Sequence, residues 1–507
     1  MDSEGILKVY EAIIFDLDQT LIDTSALKKW RDERSWDECY NHLQLTSIYP
    51  HVQSLLQSLI VKKIAVVTNS PHVYASKLLE YHQIPYDHLV AYQKHGRNKP
   101  YPDQLMSCIE ELKVEPAQCM YIGDDPNDIV AAKIAGFHAV GFCFGNLGLA
   151  EMIFHMPDGI VSNYHQLFHY VQKQDDVFFQ DKLKGLYDHA MSAQQARDGK
   201  RYVKLLKDAS NLGHGQAQYK LSKLLEKNPA LVDREKDSDY YLWEAAKLMV
   251  AEAIYEIGYR YEIDNQTELA EPFLRTSANL GLPHAQFFFG KTKLKANDSS
   301  AKANVSHRWM KKSVTSGLEK GQSMLEQVSR IVAFEADLDN RLFFERGTSI
   351  YYLDSYLPEQ RFEDFFSQEI IKIKDKEESG ILYFLEQLES LLLKDIAICY
   401  VPSSDKENLD SGIRKIAQRL STKQAIDATN CLVRYQSKEK SSLGGDRSIE
   451  AHMNTMLVEN KGKIVGKHVL LLDDITTSGS ALIASEQLLM QAGALHVTKL
   501  ALGRTKS

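Results

Sequence analysis

The sequence predicts a multidomain chain in which two α/β domains flank an α-helical repeat solenoid. Three observations predict it. The chain has 507 residues, too many for one hydrophobic core at roughly 100–200 residues per domain. Short apolar runs alternate with helical stretches up to about residue 175 and return after residue 345, the rhythm of parallel sheets covered by helices. Between them lie self-similar helical segments, the mark of a solenoid whose units bury their apolar faces by stacking on neighbours.

Composition bounds the function. Sixty Lys and Arg against 68 Asp and Glu give a net charge of −8, and 44% of residues are hydrophobic, which excludes a basic nucleic-acid-coating protein and a wholly disordered chain. No apolar run approaches the ~18 residues of a membrane span. The acidic start, MDSEGILKVYEAIIFDLD, lacks the layout of a signal peptide, so a cytoplasmic chain with no membrane partner is expected. Cys39, Cys108, Cys119, Cys143, Cys399 and Cys431 form no CxxC pair, which predicts reduced, mostly buried thiols.

In residues 1–175 the strand candidates are AIIFD at 12–16, IAVVT at 64–68, CMYIG at 119–123 and AVGF at 139–142. Ligands of open α/β sheets bind at the carboxyl ends of the strands, and these strands end in chemistry. The first runs into Asp16-x-Asp18-x-Thr20, the second into Thr68-Asn69-Ser70, and the third into Gly123-Asp124-Asp125 with Asp128 beyond. Asn98-Lys99-Pro100-Tyr101-Pro102 adds a cation before a helix. Acids, hydroxyls and one fixed lysine are the parts that phosphoryl transfer needs.

These four motifs, in this order over residues 10–150, resemble the haloacid dehalogenase (HAD) superfamily of phosphohydrolases, which implies a Rossmann-like α/β fold. The resemblance implies that Asp16 is the nucleophile that forms an aspartyl-phosphate and Asp18 the general acid and base. Thr68 and Lys99 would hold the transferring group; Asp16, Asp124 and the backbone carbonyl of Asp18 would ligate Mg²⁺. Asn69, Asp125 and Asp128 would support these groups from behind. Only about 25 residues separate Asp23 from the helix near Tyr49-Pro50, where many relatives carry a cap of several dozen. The cap is therefore at most a helix or two, and an open site suits nucleotides, nucleic-acid ends or other large phosphates. Trp30, Arg31, Arg34 and Trp36 either stack on a base and pair a phosphate or pack the small cap.

Over residues 176–340 the segments DASNLGHGQAQYKLS, EAAKLMVAEAIYEIG, TSANLGLPHAQFFFG and KSVTSGLEKGQSMLE align. Gly213, Met249, Gly281 and Gly317 share one column, at steps of 36, 32 and 36 residues, and Ala217, Ala253, Ala285 and Gly321 share another. Small residues are expected there because they let paired helices approach closely. The repeats resemble the Sel-one-like members of the tetratricopeptide superfamily, which implies a scaffold or a surface for a protein partner.

From residue 345 the strand candidates are IAICYV at 396–401, HVLLLDD at 468–474 and HVTKLALG at 496–503. Asp473 and Asp474 precede Thr476-Thr477-Ser478-Gly479-Ser480 at a helix start, an anion cradle behind two carboxylates suited to ribose hydroxyls. Residues 345–507 resemble type I phosphoribosyltransferases of ComF type. That implies that Asp473 and Asp474 take the ribose of phosphoribosyl pyrophosphate (PRPP) and residues 476–480 its 5-phosphate. Lys438, Lys440 and Arg447 would either neutralise pyrophosphate as it leaves or stand as a solvated charged loop. The loop SSDKENLDSG carries Asp405, Glu407 and Asp410 where neutral or basic residues are expected, which weakens diphosphate binding.

The expected protein is a Mg²⁺-dependent phosphatase joined through helical repeats to a PRPP-binding phosphoribosyltransferase of nucleotide metabolism. Two alternatives stand beside it: a phosphatase governed by a non-catalytic PRPP or nucleotide sensor, and a repeat-scaffolded protein of nucleic-acid repair, stress or defence.

Overall fold

The first sheet is parallel throughout because its strands are apolar on both faces. In the computed structural model these strands are β1 (Ala12–Phe15), β2 (Lys63–Val67), β3 (His88–Val90), β4 (Cys119–Gly123), β5 (His138–Phe142) and β6 (Gly159–Val161). Their order is β3-β2-β1-β4-β5-β6. Alternate residues feed two cores: Ala12, Ile14, Ala65, Val67, Cys119 and Tyr121 one, and Ile13, Phe15, Ile64, Val66, Met120 and Ile122 the other. The switch in strand order falls beside β1, whose carboxyl end therefore opens into a crevice. The structure describes residues 10–59, 62–92, 96–143, 148–175, 177–228, 236–295, 301–360, 362–422, 425–437 and 448–506.

Between the short strands Ile22–Asp23 and Ser47–Ile48 lie two short helices, Lys28–Asp32 and Trp36–Asn41. Trp30 stacks on His42 with ring centroids 4.5 Å apart, and Trp36 lies 5.4 Å from Tyr74. Both tryptophans are thus engaged in packing this small cap.

The chain divides into two compact units, Met1–Ala285 and Gln286–Ser507. Within the first unit the helices Ser238–Lys247, Ala251–Ile263 and Thr267–Asn279 contribute Leu242, Ala246, Ile254 and Phe273 to the same core as one face of the sheet. Thr276 donates its hydroxyl to the Ile153 carbonyl at 3.1 Å. The two aligned columns of the repeats have different causes. Ala217, Ala253 and Ala285 are fully buried, as close helix packing requires. Gly213, Gly281 and Gly317 instead stand in the left-handed region at φ 81°, 93° and 98°, each just beyond a helix end, and Met249 holds φ 56° in the same column. A Cβ on Gly281 or Gly317 would meet nothing within 4 Å, so close approach is not why they are glycine. Backbone conformation is the reason. Gly281→Ala should therefore cost about 1–2 kcal/mol by strain alone, read as a lower midpoint in urea.

In the second unit the sheet comprises β7 (Phe343–Glu345), β8 (Ile350–Tyr356), β9 (Ala397–Tyr400), β10 (Ile426–Asp427), β11 (His468–Thr476) and β12 (His496–Thr505), in the order β10-β9-β11-β12-β8-β7. Among the described residues of this sheet only the edge pairing of β7 with β8 is antiparallel. Ile398, Leu470, Leu472 and Leu500 face one core and Cys399, Val469, Leu471 and Ala501 the other. The domain is again layered, with helices on both sides of a mixed sheet. Among the described residues no helix is long and apolar enough to cross a membrane.

Candidate functional site

The crevice at the carboxyl ends of β1, β2 and β4 gathers the first three motifs and Lys99. A pocket of about 190 Å³ is lined by Asp16, Asp18, Thr68, Lys99, Asp124 and Asp128, together with Asn69 and Asp125. Residues drawn from four distant parts of the sequence thus share one wall.

Lys99 is the hub. The three N–H bonds of its buried ammonium are shared among four acceptors, Asp16 Oδ1 at 2.7 Å, Asp128 Oδ1 at 2.6 Å, the Tyr121 hydroxyl at 2.8 Å and the Val67 carbonyl at 3.0 Å. Its position is fixed from behind, since Gln104 Oε1 accepts from the Lys99 backbone N–H and the Asn69 amide donates to the Lys99 carbonyl. Gln104 also donates to the Thr68 carbonyl. Asn69 thus acts on the position of Lys99.

Asp18 is held by a different set of donors. The Ser70 hydroxyl reaches its Oδ2 at 2.6 Å, and Tyr74 and Thr24 reach Oδ1 at 2.9 and 2.7 Å. Arg31, from the small cap, pairs with the same oxygen at 3.0 Å and donates to Thr24. Arg31 therefore lines the pocket while already engaging an acid, and Arg34 is exposed. The Thr68 hydroxyl accepts from the Ser70 N–H, which fixes its rotamer at the pocket wall.

Asp16, Asp124 and Asp128 offer oxygens that all lie within 4.8 Å of one another. Asp125 caps the helix Pro126–Ala135 by accepting from the Asn127 N–H, and Asp128 completes the capping box on the Asp125 N–H. Asp128 thus turns one oxygen to the helix start and the other to the carboxylate cluster. Thr20 donates to Asp124 at 2.8 Å. Burial first, and the Asp128, Asp124 and Asp18 charges next, push the Asp16 carboxyl well up against the opposing pull of Lys99. Burial and then Asp128 push Asp124 up to about 7. Three clustered carboxylates facing one ammonium are short of positive charge, and hard oxygen donors of this kind fit a divalent cation.

A raised folded-state pKa means that the native protein holds the proton more tightly than the unfolded chain. With no cation bound, the stability that Asp124 lends is present below about pH 4 and is lost as pH rises to about 7. In EDTA, Asp124→Asn should therefore gain melting temperature relative to the parent as pH rises from 5 to 8 (about 1–2 kcal/mol). Saturating Mg²⁺ should raise the parent's melting temperature and leave the variant's nearly unchanged.

Gly123 ends β4 directly beneath this cluster. A Cβ there would lie 2.2 Å from Asp128 Oδ2, so Gly123→Ala should displace the Asp128 carboxylate. The expected result is at least a tenfold loss of metal affinity, measured by titrating Mg²⁺ against melting temperature.

The family model for haloacid dehalogenase-like hydrolases matches residues 36–136. The N-terminal domain is a haloacid dehalogenase-like hydrolase domain. Over 127 residues it is 34% identical to the phosphoglycolate phosphatase of Escherichia coli strain K12, an alignment that covers 24% of this chain and 50% of that protein. Over 136 residues it is 33% identical to the phosphoglycolate phosphatase of Pasteurella multocida strain Pm70, covering 25% and 58%. The chain spans about half the length of the curated relatives it matches. A crystal structure of a predicted phosphoglycolate phosphatase from Haemophilus somnus 129pt is 22% identical, with 32% of this chain and 98% of that one covered at a TM-score of 0.27.

The hydrolase domain also uses residues that sequence reasoning missed. Tyr121 sits inside an apolar strand and reads as core, yet its hydroxyl donates to the Val67 carbonyl at 3.1 Å and accepts from Lys99. Thr24 and Tyr74 carry no motif; only the fold brings them to Asp18.

In the second unit Asp473 and Asp474 lie at the carboxyl end of β11, each accepting from the backbone N–H that follows it. Burial and the adjoining Asp474 push the Asp473 carboxyl well up. Thr476 is buried, Thr477 meets Thr505 at 3.0 Å, and the Ser478 and Ser480 hydroxyls lie 3.0 Å apart. Gly479, at φ 77°, leads into the helix Ser480–Gln491. Lys438, Lys440 and Arg447 lie outside the described residues. In the acidic loop, Asp410 faces Lys376 and Lys415 at 3.5 Å. A separate pocket of about 290 Å³ opens beside Ser403, Asp405, Arg414 and Arg434.

Proposed function

We propose that the N-terminal domain hydrolyses phosphate monoesters through an Asp16 phosphoenzyme with Mg²⁺ as cofactor. The observation that carries this reading is the joint engagement of Lys99 by Asp16 and Asp128, with Asp124 completing a carboxylate cluster. An Asp16 oxygen attacks phosphorus as the ester P–O bond breaks, and Asp18 gives the leaving oxygen its proton. Water then attacks the aspartyl-phosphate, Asp18 takes the proton, and phosphate leaves. Lys99 and Thr68 hold the phosphoryl oxygens. Asp16, Asp124 and the backbone carbonyl of Asp18 would hold Mg²⁺, with Asp128 supporting them from the same cluster, and the ion when bound would offset charge on the transferring group.

Two substrate classes compete. The small cap favours an exposed phosphate such as a nucleotide or a nucleic-acid end, whereas the curated relatives are phosphoglycolate phosphatases. Phosphate release with Mg²⁺ across phosphoglycolate, sugar phosphates, nucleotides and phosphorylated oligonucleotides distinguishes them. A clear kinetic preference for phosphoglycolate-sized esters overturns the large-substrate reading.

A second reading concerns residues 345–507, as a PRPP-binding, phosphoribosyltransferase-like domain joined through Sel-one-like repeats (176–340) to the hydrolase domain (1–175). It is supported by two acids at the end of a central parallel strand, followed by a hydroxyl-rich turn into a helix. Turnover predicts pyrophosphate release from PRPP that Asp474→Asn removes. A sensor predicts no pyrophosphate and a PRPP-dependent change in the Asp16-dependent rate. PRPP without effect on either overturns both.

A further inference from the structure

A pair of histidines lies on the helix Tyr164–Asp175, apart from the carboxylates, with a third histidine beside it. His165 and His169 are one turn apart on the helix Tyr164–Asp175, both exposed. Their Nε2 atoms face each other at 3.3 Å, with ring centroids 4.5 Å apart. Two imidazole nitrogens each about 2.0–2.1 Å from one tetrahedral ion lie about 3.4 Å apart. The pair therefore already holds the spacing of a chelate, without a change of rotamer. The neighbouring edge belongs to His51, whose ring centroid is 6.4 Å from that of His165 in an edge-on arrangement. His51 is also exposed and stands at φ 70° directly before the helix Val52–Ser58.

We propose that the His165–His169 pair binds a borderline-soft divalent cation of the Zn²⁺ class, with His51, whose ring nitrogens stand farther off, swinging in as third ligand by a turn of its exposed side chain. Imidazole donors select Zn²⁺, Ni²⁺ or Cu²⁺ over Mg²⁺, which the carboxylate crevice prefers. One chain thus carries two sites of different hardness. The histidine site is built into the frame of the crevice. Tyr164, next to His165, donates its hydroxyl to the Thr20 carbonyl, and Thr20 holds Asp124. On the other side, Tyr49 donates its hydroxyl to Gln19 and its N–H to the Leu21 carbonyl. An ion shared by His51 and the His165–His169 pair joins the two segments that brace residues 19–21. This inference stands independently of the hydrolase reading.

The test is calorimetric titration of Zn²⁺ into the tag-free full chain with excess Mg²⁺ present to occupy the carboxylates. The parent should bind one Zn²⁺ in this way. His165→Ala and His169→Ala should each weaken it at least tenfold, His51→Ala should weaken it less, and Asp16→Asn should leave it unchanged. All three histidines are exposed, so the variants should keep the parent's circular dichroism and melting temperature without Zn²⁺. Unchanged Zn²⁺ affinity in His165→Ala and His169→Ala, or loss of Zn²⁺ binding in Asp16→Asn alone, overturns the assignment.

Discussion

Asp16→Asn is expected to abolish Mg²⁺-dependent phosphate release, by about 10⁴-fold or more, while the protein stays folded. The size follows from the role: an amide offers no carboxylate oxygen to attack phosphorus, and no neighbour is placed to take over. Asp16 Oδ1 accepts from Lys99 at 2.7 Å, while Ser70, Tyr74, Thr24 and Arg31 hold the other acid, Asp18, in its acid–base place. Folding should survive because the amide oxygen can still accept from Lys99, and one charge fewer is buried among carboxylates. Steady-state phosphate release beside a urea melt separates the two effects.

Lys99→Met should be the most destabilising single change in the crevice, at about 3–5 kcal/mol. The loss is not the worth of one ion pair. It is the cost of leaving Asp16 and Asp128, both buried, without their common cation, and the Val67 carbonyl without its lysine donor. Because that cost belongs to the stranded charges, adding Asp128→Asn to Lys99→Met should restore part of the stability while leaving the protein inactive. A loss in the double variant equal to the sum of the losses in Lys99→Met and Asp128→Asn would show that the pair is not coupled.

Much of the site was legible because its parts fall at strand ends. AIIFD, IAVVT and CMYIG stop within a residue of β1, β2 and β4, and their terminal acids and hydroxyls meet in one crevice. β3 and β6, three residues each, are too short to carry a pattern. Asp128 reads as a supporting residue in the sequence, and a helix start hides what its second oxygen does. The glycine column of the repeats was visible, but its cause was not, since a sequence shows that a residue is small and not that its φ is positive. Nor does spacing reveal that helices 238–279 share a core with the sheet. Long-range packing of that kind leaves no local signal.

The most direct test of the central claim is acid-quenched labelling of the full chain with a radiolabelled phosphoester and Mg²⁺, followed by peptide mapping. The account predicts an alkali-labile phosphate on the peptide that contains Asp16, absent from Asp16→Asn. Turnover that persists in Asp16→Asn, or a label on any other residue, would contradict it.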